Sequence, residues 1–278
     1  MDIDYLEMPF ELIGKHILLQ VNIDGIDEPF IFDSGAPQIV LNKAYEVSTD
    51  EETVLEDVRG ATGQIGGIQT TSIPALDWGA LHLTDQPALI IDISHLETQL
   101  KTKVRGLIGF DTVKDFDIIY DYGNQKLVLI NPSKTNEYVN WEYVRQPLLF
   151  GSAAHLPILP VDIAGKIFNM ALDCGAEMNL MDANHHEFIM ESGVFRQTGN
   201  ESLTGIENAV SQVEIGELGP VSIGSEIEFE TMKFLFADIS HLNAASDIQI
   251  DGIVGYELLS TQKTIVSYAR RELLIFGK

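Results

Sequence analysis

One pattern occurs twice along this 278-residue chain, and it limits the possible fold more than any other feature. Asp92-Ile93-Ser94-His95-Leu96 returns as Asp238-Ile239-Ser240-His241-Leu242, and Gly106-Leu107-Ile108-Gly109-Phe110 as Gly252-Ile253-Val254-Gly255-Tyr256, both at an offset of 146. Nearer the start, Val21-Asn22-Ile23-Asp24-Gly25 matches Val161-Asp162-Ile163-Ala164-Gly165 at an offset of 140. The same offset carries Phe32-Asp33-Ser34-Gly35-Ala36 onto Leu172-Asp173-Cys174-Gly175-Ala176. The difference of six implies an insertion inside the second copy. A unit of about 130 residues present twice predicts two like-folded halves and not an array of short repeats. The polar, proline-containing stretch Asn131-Pro132-Ser133-Lys134-Thr135-Asn136-Glu137 marks the joint, which gives an N-terminal half over 1–137 and a C-terminal half over 138–278.

Within each half the local signals are those of strands. Ile17 to Ile23 and Pro29 to Phe32 are apolar or alternating runs around the turn Asp24-Gly25, which predicts a hairpin. Ile158 to Ile163 and Lys166 to Leu172 repeat it around Gly165. Each half closes on another apolar pair, Asp117 to Tyr122 with Lys126 to Ile130, and Thr264 to Tyr268 with Glu272 to Phe276. Helix signals are few and short: Pro37 to Ala44, Asp111 to Asp115, Met181 to Met190 and Glu257 to Thr261. The expected class is all-β with a few short helices.

Composition narrows the partners. Hydrophobic residues at 45% supply a buried core, so a disordered chain is excluded. Asp plus Glu number 42 against 17 Lys plus Arg, a formal net charge of −25, with no basic cluster to offset it. Such a surface repels phosphate backbones and anionic headgroups, so neither nucleic acid nor a membrane surface is an expected partner. No apolar run reaches the length of a spanning helix, and no membrane insertion is expected. The start Met1-Asp2-Ile3-Asp4-Tyr5 lacks the basic, then apolar, character of a signal peptide. That start fits a cytoplasmic protein as written, or a periplasmic or secreted one after removal of a leader. The lone cysteine, Cys174, allows no intrachain disulfide and no cysteine-based zinc site.

Four aspartates open an Asp-x-Gly tripeptide: Asp33, Asp77, Asp121 and Asp173. By itself that is turn chemistry, because Asp caps its own backbone and Gly tolerates tight conformations. Asp33 and Asp173 differ in context. Each ends an apolar strand, is followed by Ala after the Gly, and leads into a second apolar run, Ile39-Val40-Leu41 or Met178-Asn179-Leu180. Each also precedes a hydrophobic segment closing on Gly109 or Gly255.

On these motifs the chain resembles the aspartic protease superfamily, and specifically the bacterial aspartyl proteases with retroviral-protease-like halves. The stretch Gly106 to Ile130 looks like that family's C-terminal strand-turn-strand segment, and the resemblance runs from about Met8 to Phe276. It implies a pseudo-twofold bilobal aspartic-protease fold of two retropepsin-like β-barrel halves. Asp33 and Asp173 would meet as the catalytic pair of an aspartic endopeptidase. Two carboxylates in one site share a proton, so one acts as general base on a water while the other polarises the scissile carbonyl. No metal and no cofactor is implied. The resemblance gives Ser34, Gly35, Ala36, Cys174, Gly175 and Ala176 the role of supporting the loops. Ser34 and Cys174 stand where the family places a cross-loop hydroxyl; a thiol is larger and a weaker donor, which predicts a looser or asymmetric lock. Alanine at 36 and 176 removes a hydroxyl from the carboxylates and predicts a mildly acidic to neutral optimum. Gly60-Ala61-Thr62-Gly63 and Leu203-Thr204-Gly205 are the expected substrate-binding flaps, offering backbone groups to an extended peptide. The partner is a peptide or protein substrate, and duplication in one chain favours a monomer.

Two other readings stay open at this point: a peptide-binding protein of the same fold without turnover, and a structural β domain whose aspartates only cap turns. His185-His186-Glu187 lacks the spacing of a zinc helix, and neighbouring histidines point apart. His95 and His241 recur beside expected strands and are read as local hydrogen-bonding groups. Cys174 is expected to be a buried structural thiol. Asp50-Glu51-Glu52 reads as a solvated loop, and Asn200-Glu201-Ser202 as an accidental sequon.

Overall fold

The computed structural model describes residues 4–46, 54–55, 58–60, 63–65, 68–151, 155–204, 210–243 and 246–276, with 54–55, 58–60, 63–65, 201–204 and 210–212 described by backbone alone. Strand dominates it. His16–Ile23 and Ile26–Phe32 form a hairpin with Ile23 opposite Ile26 and Ile17 opposite Phe32. Asp24 and Gly25 both turn with positive φ, 53° and 83°, the geometry that matches the twist of paired strands. Ile158–Ile163 and Lys166–Leu172 repeat it, with Ala164 and Gly165 at 55° and 78°.

The second strand of each hairpin then meets the hydrophobic segment that ends in glycine. Ile26–Phe32 runs parallel to Gly106–Ile108 with Ile108 beside Phe32, and Lys166–Leu172 runs parallel to Gly252–Val254 with Val254 beside Leu172. Each of these segments also pairs antiparallel with the strand that follows the aspartate loop, Leu107 with Val40 and Ile253 with Leu180. Beyond it lies a parallel neighbour, Ala88 beside Ile39 and Phe234 beside Asn179. Every one of these pairs corresponds at offsets of 140 and 146. The extra six residues of the second half fall between Asp182 and Phe234, a stretch that includes helix His186–Ser192.

Glycine closes the weave for a steric reason. A Cβ on Gly106 would lie 2.2 Å from the Val40 carbonyl oxygen, and one on Gly252 2.3 Å from that of Leu180. Gly109 and Gly255 are equally hemmed in, by the backbone of Gln38 and Ala36 and by that of Ala176 and Asp173. The Asp loops are therefore threaded tightly against these segments.

A six-stranded sheet joins the halves, in the order Tyr5–Pro9, Lys126–Ile130, Asp117–Asp121, Thr264–Ser267, Glu272–Phe276, Tyr143–Pro147. Three strands come from each half, and they meet where Ile118 opposes Val266 and Ile119 opposes Ile265. One face packs Ile118, Tyr120, Val266 and Leu273 into a core continuous with Phe32 and Leu172; the other packs Ile119, Ile265, Leu274 and Phe276. The molecule is thus a bilobal all-β protein.

The short helices differ from expectation. Pro37–Ala44 is not a helix: Ile39–Asn42 is a fully buried strand, followed by a 3₁₀ turn at Lys43–Tyr45. Met181–Met190 begins as strand, Asn179–Asp182, and becomes helical only from 183 onward. The segment at 111–115 is a 3₁₀ turn, Phe110–Thr112, and Glu257–Thr261 is the helix Tyr256–Leu259. Three further helices were not anticipated: Ser94–Leu100, Thr135–Tyr138 and Ser240–Asn243. His95 and His241 lie on helices, and His95 Nδ1 and His241 Nε2 are buried without a hydrogen-bond partner, so at those two atoms the expected local bonding is not made.

Candidate active site

Asp33 follows the last residue of its strand, and its N–H donates to the Ile108 carbonyl at 3.0 Å. The chain then turns at once, with Ala36 N–H donating back to the Asp33 carbonyl at 3.2 Å. The Asp33 carboxyl stabilises that turn by accepting from Gly35 N–H at 2.8 Å. Asp173 repeats each bond: its N–H to Val254 at 2.9 Å, Ala176 back to Asp173 at 3.2 Å, and Gly175 N–H to its Oδ1 at 2.9 Å.

The two loops face each other. A Cβ on Gly35 would sit 2.4 Å from Asp173 Oδ2, and one on Gly175 2.3 Å from Asp33 Oδ1. Glycine is required at both positions because the opposite carboxyl occupies the space. Each loop glycine thus lies against the opposite carboxyl, close enough for the charge of Asp173 to act on Asp33.

Ser34 and Cys174 tie the loops from below. Cys174 N–H donates to Ser34 Oγ at 2.9 Å, while Ser34 N–H donates to Cys174 Sγ at 3.2 Å. The thiol in turn donates to the Phe32 carbonyl at 3.7 Å, and Ser34 Oγ lies 3.5 Å from Asp173 Oδ1. The lock is closed in both directions and asymmetric, longer on the sulfur side. Cys174 is buried and free, its ionisation pushed far up by burial and by the two aspartates.

Burial, then the charge of Asp173, raises the Asp33 carboxyl from an ordinary 3.8 to about 7. Asp173, 9% exposed, is raised as well, chiefly by burial, and hydrogen bonds from Gly175 and Ser34 oppose the rise. The two carboxyls are coupled, and the pair titrates as a unit. Such a site can hold one proton and one negative charge side by side across the neutral range.

Of the supporting residues, Ala36 is buried in the N-terminal core and Ala176 is half-buried beside its counterpart core. Gly60 and Gly63 pair across the hairpin of Val58–Gly60 and Gly63–Ile65, whose first strand approaches the opposite lobe's helix Ser240–Asn243. Ala61 and Thr62 lie outside the described residues. Leu203 and Thr204 end strand Phe195–Thr204, opposite Ser211 and Val210, and Gly205 lies outside the described residues. His185 bonds Asp251 at 2.8 Å and His186 bonds Glu214 at 2.7 Å, so the two rings serve different carboxylates. Among the described residues no three His, Cys, Asp or Glu side chains converge on a metal position.

Several neighbours of the pair were not singled out from sequence. His16, buried at 8% exposure, lies 3.3 Å from Glu177 and acts electrostatically on Asp33. Tyr268 packs on Phe110 at 4.9 Å, and His155 reaches the Gly35 carbonyl at 2.7 Å. The offset of 140 held a signal for the last, since it carries Lys15 onto His155.

Residues 19–112 match the model of a family described as aspartyl protease, a span that contains the Asp33 loop and the Gly106–Phe110 segment. No curated protein matches the chain. Among solved structures, the aspartic proteinase from Irpex lacteus aligns over 99% of this chain and 98% of its own, with a TM-score of 0.58 at 12% identity. Basic 7S globulin from soybean aligns over 99% and 95%, with a TM-score of 0.53 at 9% identity. At such identities the likeness concerns the fold. The chain thus shares a bilobal all-β fold with an aspartic proteinase, and residues 19–112 carry sequence similar to the aspartyl protease family.

Proposed function

We propose that the protein is an aspartic endopeptidase with Asp33 and Asp173 as its catalytic pair. The observation that carries the reading is that two carboxyls from opposite lobes face each other, each held by its own loop glycine and packed against the glycine of the other loop. A water held between them gives its proton to the ionised carboxylate as its oxygen attacks the scissile carbonyl carbon. The protonated carboxyl donates to the carbonyl oxygen, and a gem-diol forms. Collapse breaks the C–N bond: one gem-diol hydroxyl returns its proton to the pair as the carboxylic acid forms, the amine nitrogen takes a proton from the pair, and an acid and an amine leave. The pair ends with the one proton it began with, so no cofactor enters. The fixed N–H donors of Gly35 and Gly175 hold the carboxyls for this work without reorganisation.

The finer reading is of a duplicated, retropepsin-like chain akin to the bacterial aspartyl proteases, with lobes over 1–137 and 138–278. The corresponding strand pairs at constant offsets support it. Because one chain supplies both aspartates, it works as a monomer. Its substrate is an extended peptide or unfolded protein covered by hairpins around Gly60–Gly63 and Leu203–Gly205.

Unfolded casein, incubated from about pH 3.5 to about 7 with and without a statine-type inhibitor, tests the reading. Wild type should cleave it, the inhibitor should stop cleavage, and Asp33→Asn or Asp173→Asn should lower turnover by about a thousandfold or more. A wild type as inert as both variants that still binds peptides would instead mark a non-catalytic binding protein.

A further inference from the structure

The aromatic and cationic groups flanking the pair form two matching chains, and they end differently. The offsets carry Phe10 onto Phe150, Lys15 onto His155, Phe110 onto Tyr256 and Tyr122 onto Tyr268. On one side Phe10 packs on Tyr122 at 5.7 Å, Tyr122 on Tyr256 at 5.4 Å, and Lys15 Nζ lies 5.4 Å over the Tyr256 ring. On the other side Phe150 packs on Tyr268 at 6.1 Å, Tyr268 on Phe110 at 4.9 Å, and Phe110 on the His155 ring at 5.8 Å. Each chain crosses from one half to the other. Lys15 ends on the Glu177 carbonyl at 3.0 Å, two residues past Gly175. His155 ends on the Gly35 carbonyl itself, at 2.7 Å.

Gly35 donates its amide to Asp33 Oδ1 at 2.8 Å and lies directly against the Asp173 carboxyl, where an added Cβ would come within 2.4 Å of Oδ2. Glycine has more backbone freedom than any other residue, and nothing larger fits here, so its orientation must be held from outside. A carbonyl only accepts, so the bond assigns the ring hydrogen to Nε2. We propose that His155 is a positioning residue for the aspartate pair, bracing the Gly35 backbone across the lobes so that its N–H stays directed at the Asp33 carboxyl and its Cα stays seated against that of Asp173. The inference rests on reading Asp33 and Asp173 as the reacting pair. Other groups around the pair, His16, Ser34, Cys174 and Tyr268, act on the carboxyls and do not touch the Gly35 carbonyl.

The test compares His155→Leu, which removes the donor, with His155→Gln, which restores an N–H donor of similar reach, and with Lys15→Leu, which cuts the matching chain. Amide exchange by nitrogen NMR reads the brace directly. Gly35 N–H should exchange about tenfold faster in His155→Leu, return toward wild type in His155→Gln, and keep its rate in Lys15→Leu. On a fluorogenic peptide, His155→Leu should lower kcat about tenfold with KM changed less than twofold, and its acid limb should move to higher pH. The sign follows because a weakened N–H bond favours the carboxylate less. Unchanged Gly35 exchange in His155→Leu, or an equal rise at Gly175, would overturn the proposal. So would a kinetic loss that His155→Gln does not relieve. An inert wild type with Gly35 released only in His155→Leu would count against the peptidase reading and leave the brace standing.

Discussion

At Asp33 a carboxyl has been taken out of water and set against a second one. Its ordinary 3.8 rises to about 7, first through burial and then through the charge of Asp173. A folded-state value above the unfolded one means that the folded protein holds an extra proton between the two. The resulting stability is full below the unfolded value and is lost as pH rises through the folded one. Asn at position 33 has no charge to bury and can still accept from Gly35. Urea unfolding should therefore find Asp33→Asn more stable than wild type at about pH 8, with the gap closing toward about pH 4. A gap of the same size at both ends would contradict the burial argument. At this scale the sequence was readable: Asp33, Asp173, Ser34 and Cys174 all announce themselves by repetition. The roles of His155, His16 and Tyr268 are not legible there, although Tyr268 repeats Tyr122 and His155 corresponds to Lys15, because their approach to the pair depends on how the halves dock, which no local pattern encodes.

Strands were legible where their pattern is local and turns are marked. The hairpin at Asp24-Gly25 carries its own instruction, since both turn residues adopt positive φ. Ile39–Asn42 was read as helical because its neighbours, Ile39, Val40 and Leu41, are equally apolar in either state. Its conversion to strand comes from pairing with residues near 88 and 107, far along the chain. Helix Ser94–Leu100 was missed although an Asp turn leads into it in both repeats, Asp92 Oδ1 accepting from Ser94 N–H at 3.0 Å and Asp238 Oδ1 from Ser240 N–H at 2.9 Å. The joint between the halves proved more than a linker. Thr135 and Arg270 both reach the buried Asp117 carboxyl, and Arg270 also holds the Pro132 carbonyl at 3.1 Å and Glu272 at 2.8 Å. Arg270→Ala should strand a buried charge in the shared sheet and cost about 3–5 kcal/mol in denaturant unfolding. Arg270→Lys should recover only part, for want of the guanidinium fork. A loss below about 1 kcal/mol would show the network to be dispensable.

For the whole molecule, the decisive fact is that two halves of one chain share a sheet and thereby bring their Asp loops together. Three strands from each side build that sheet, and the loops meet above the core that it covers. Strand pairs at offsets of 140 and 146 recur so regularly that two like halves could be foreseen from the sequence. The relative docking could be expected only from the resemblance, because it depends on long-range packing of Ile118, Tyr120, Val266 and Leu273. The strongly acidic composition, with a net charge of −25, bears on solubility and on which peptides approach. The most direct test of the shared site is carbon NMR of the Asp33 and Asp173 carboxyls across pH, in wild type and in each single Asn variant. Mutual coupling predicts two separated steps, the upper well above the ordinary carboxylate range, with Asp33 titrating lower once Asp173→Asn removes its neighbour's charge. Two independent titrations near 3.8, each indifferent to substitution of the other residue, would contradict it.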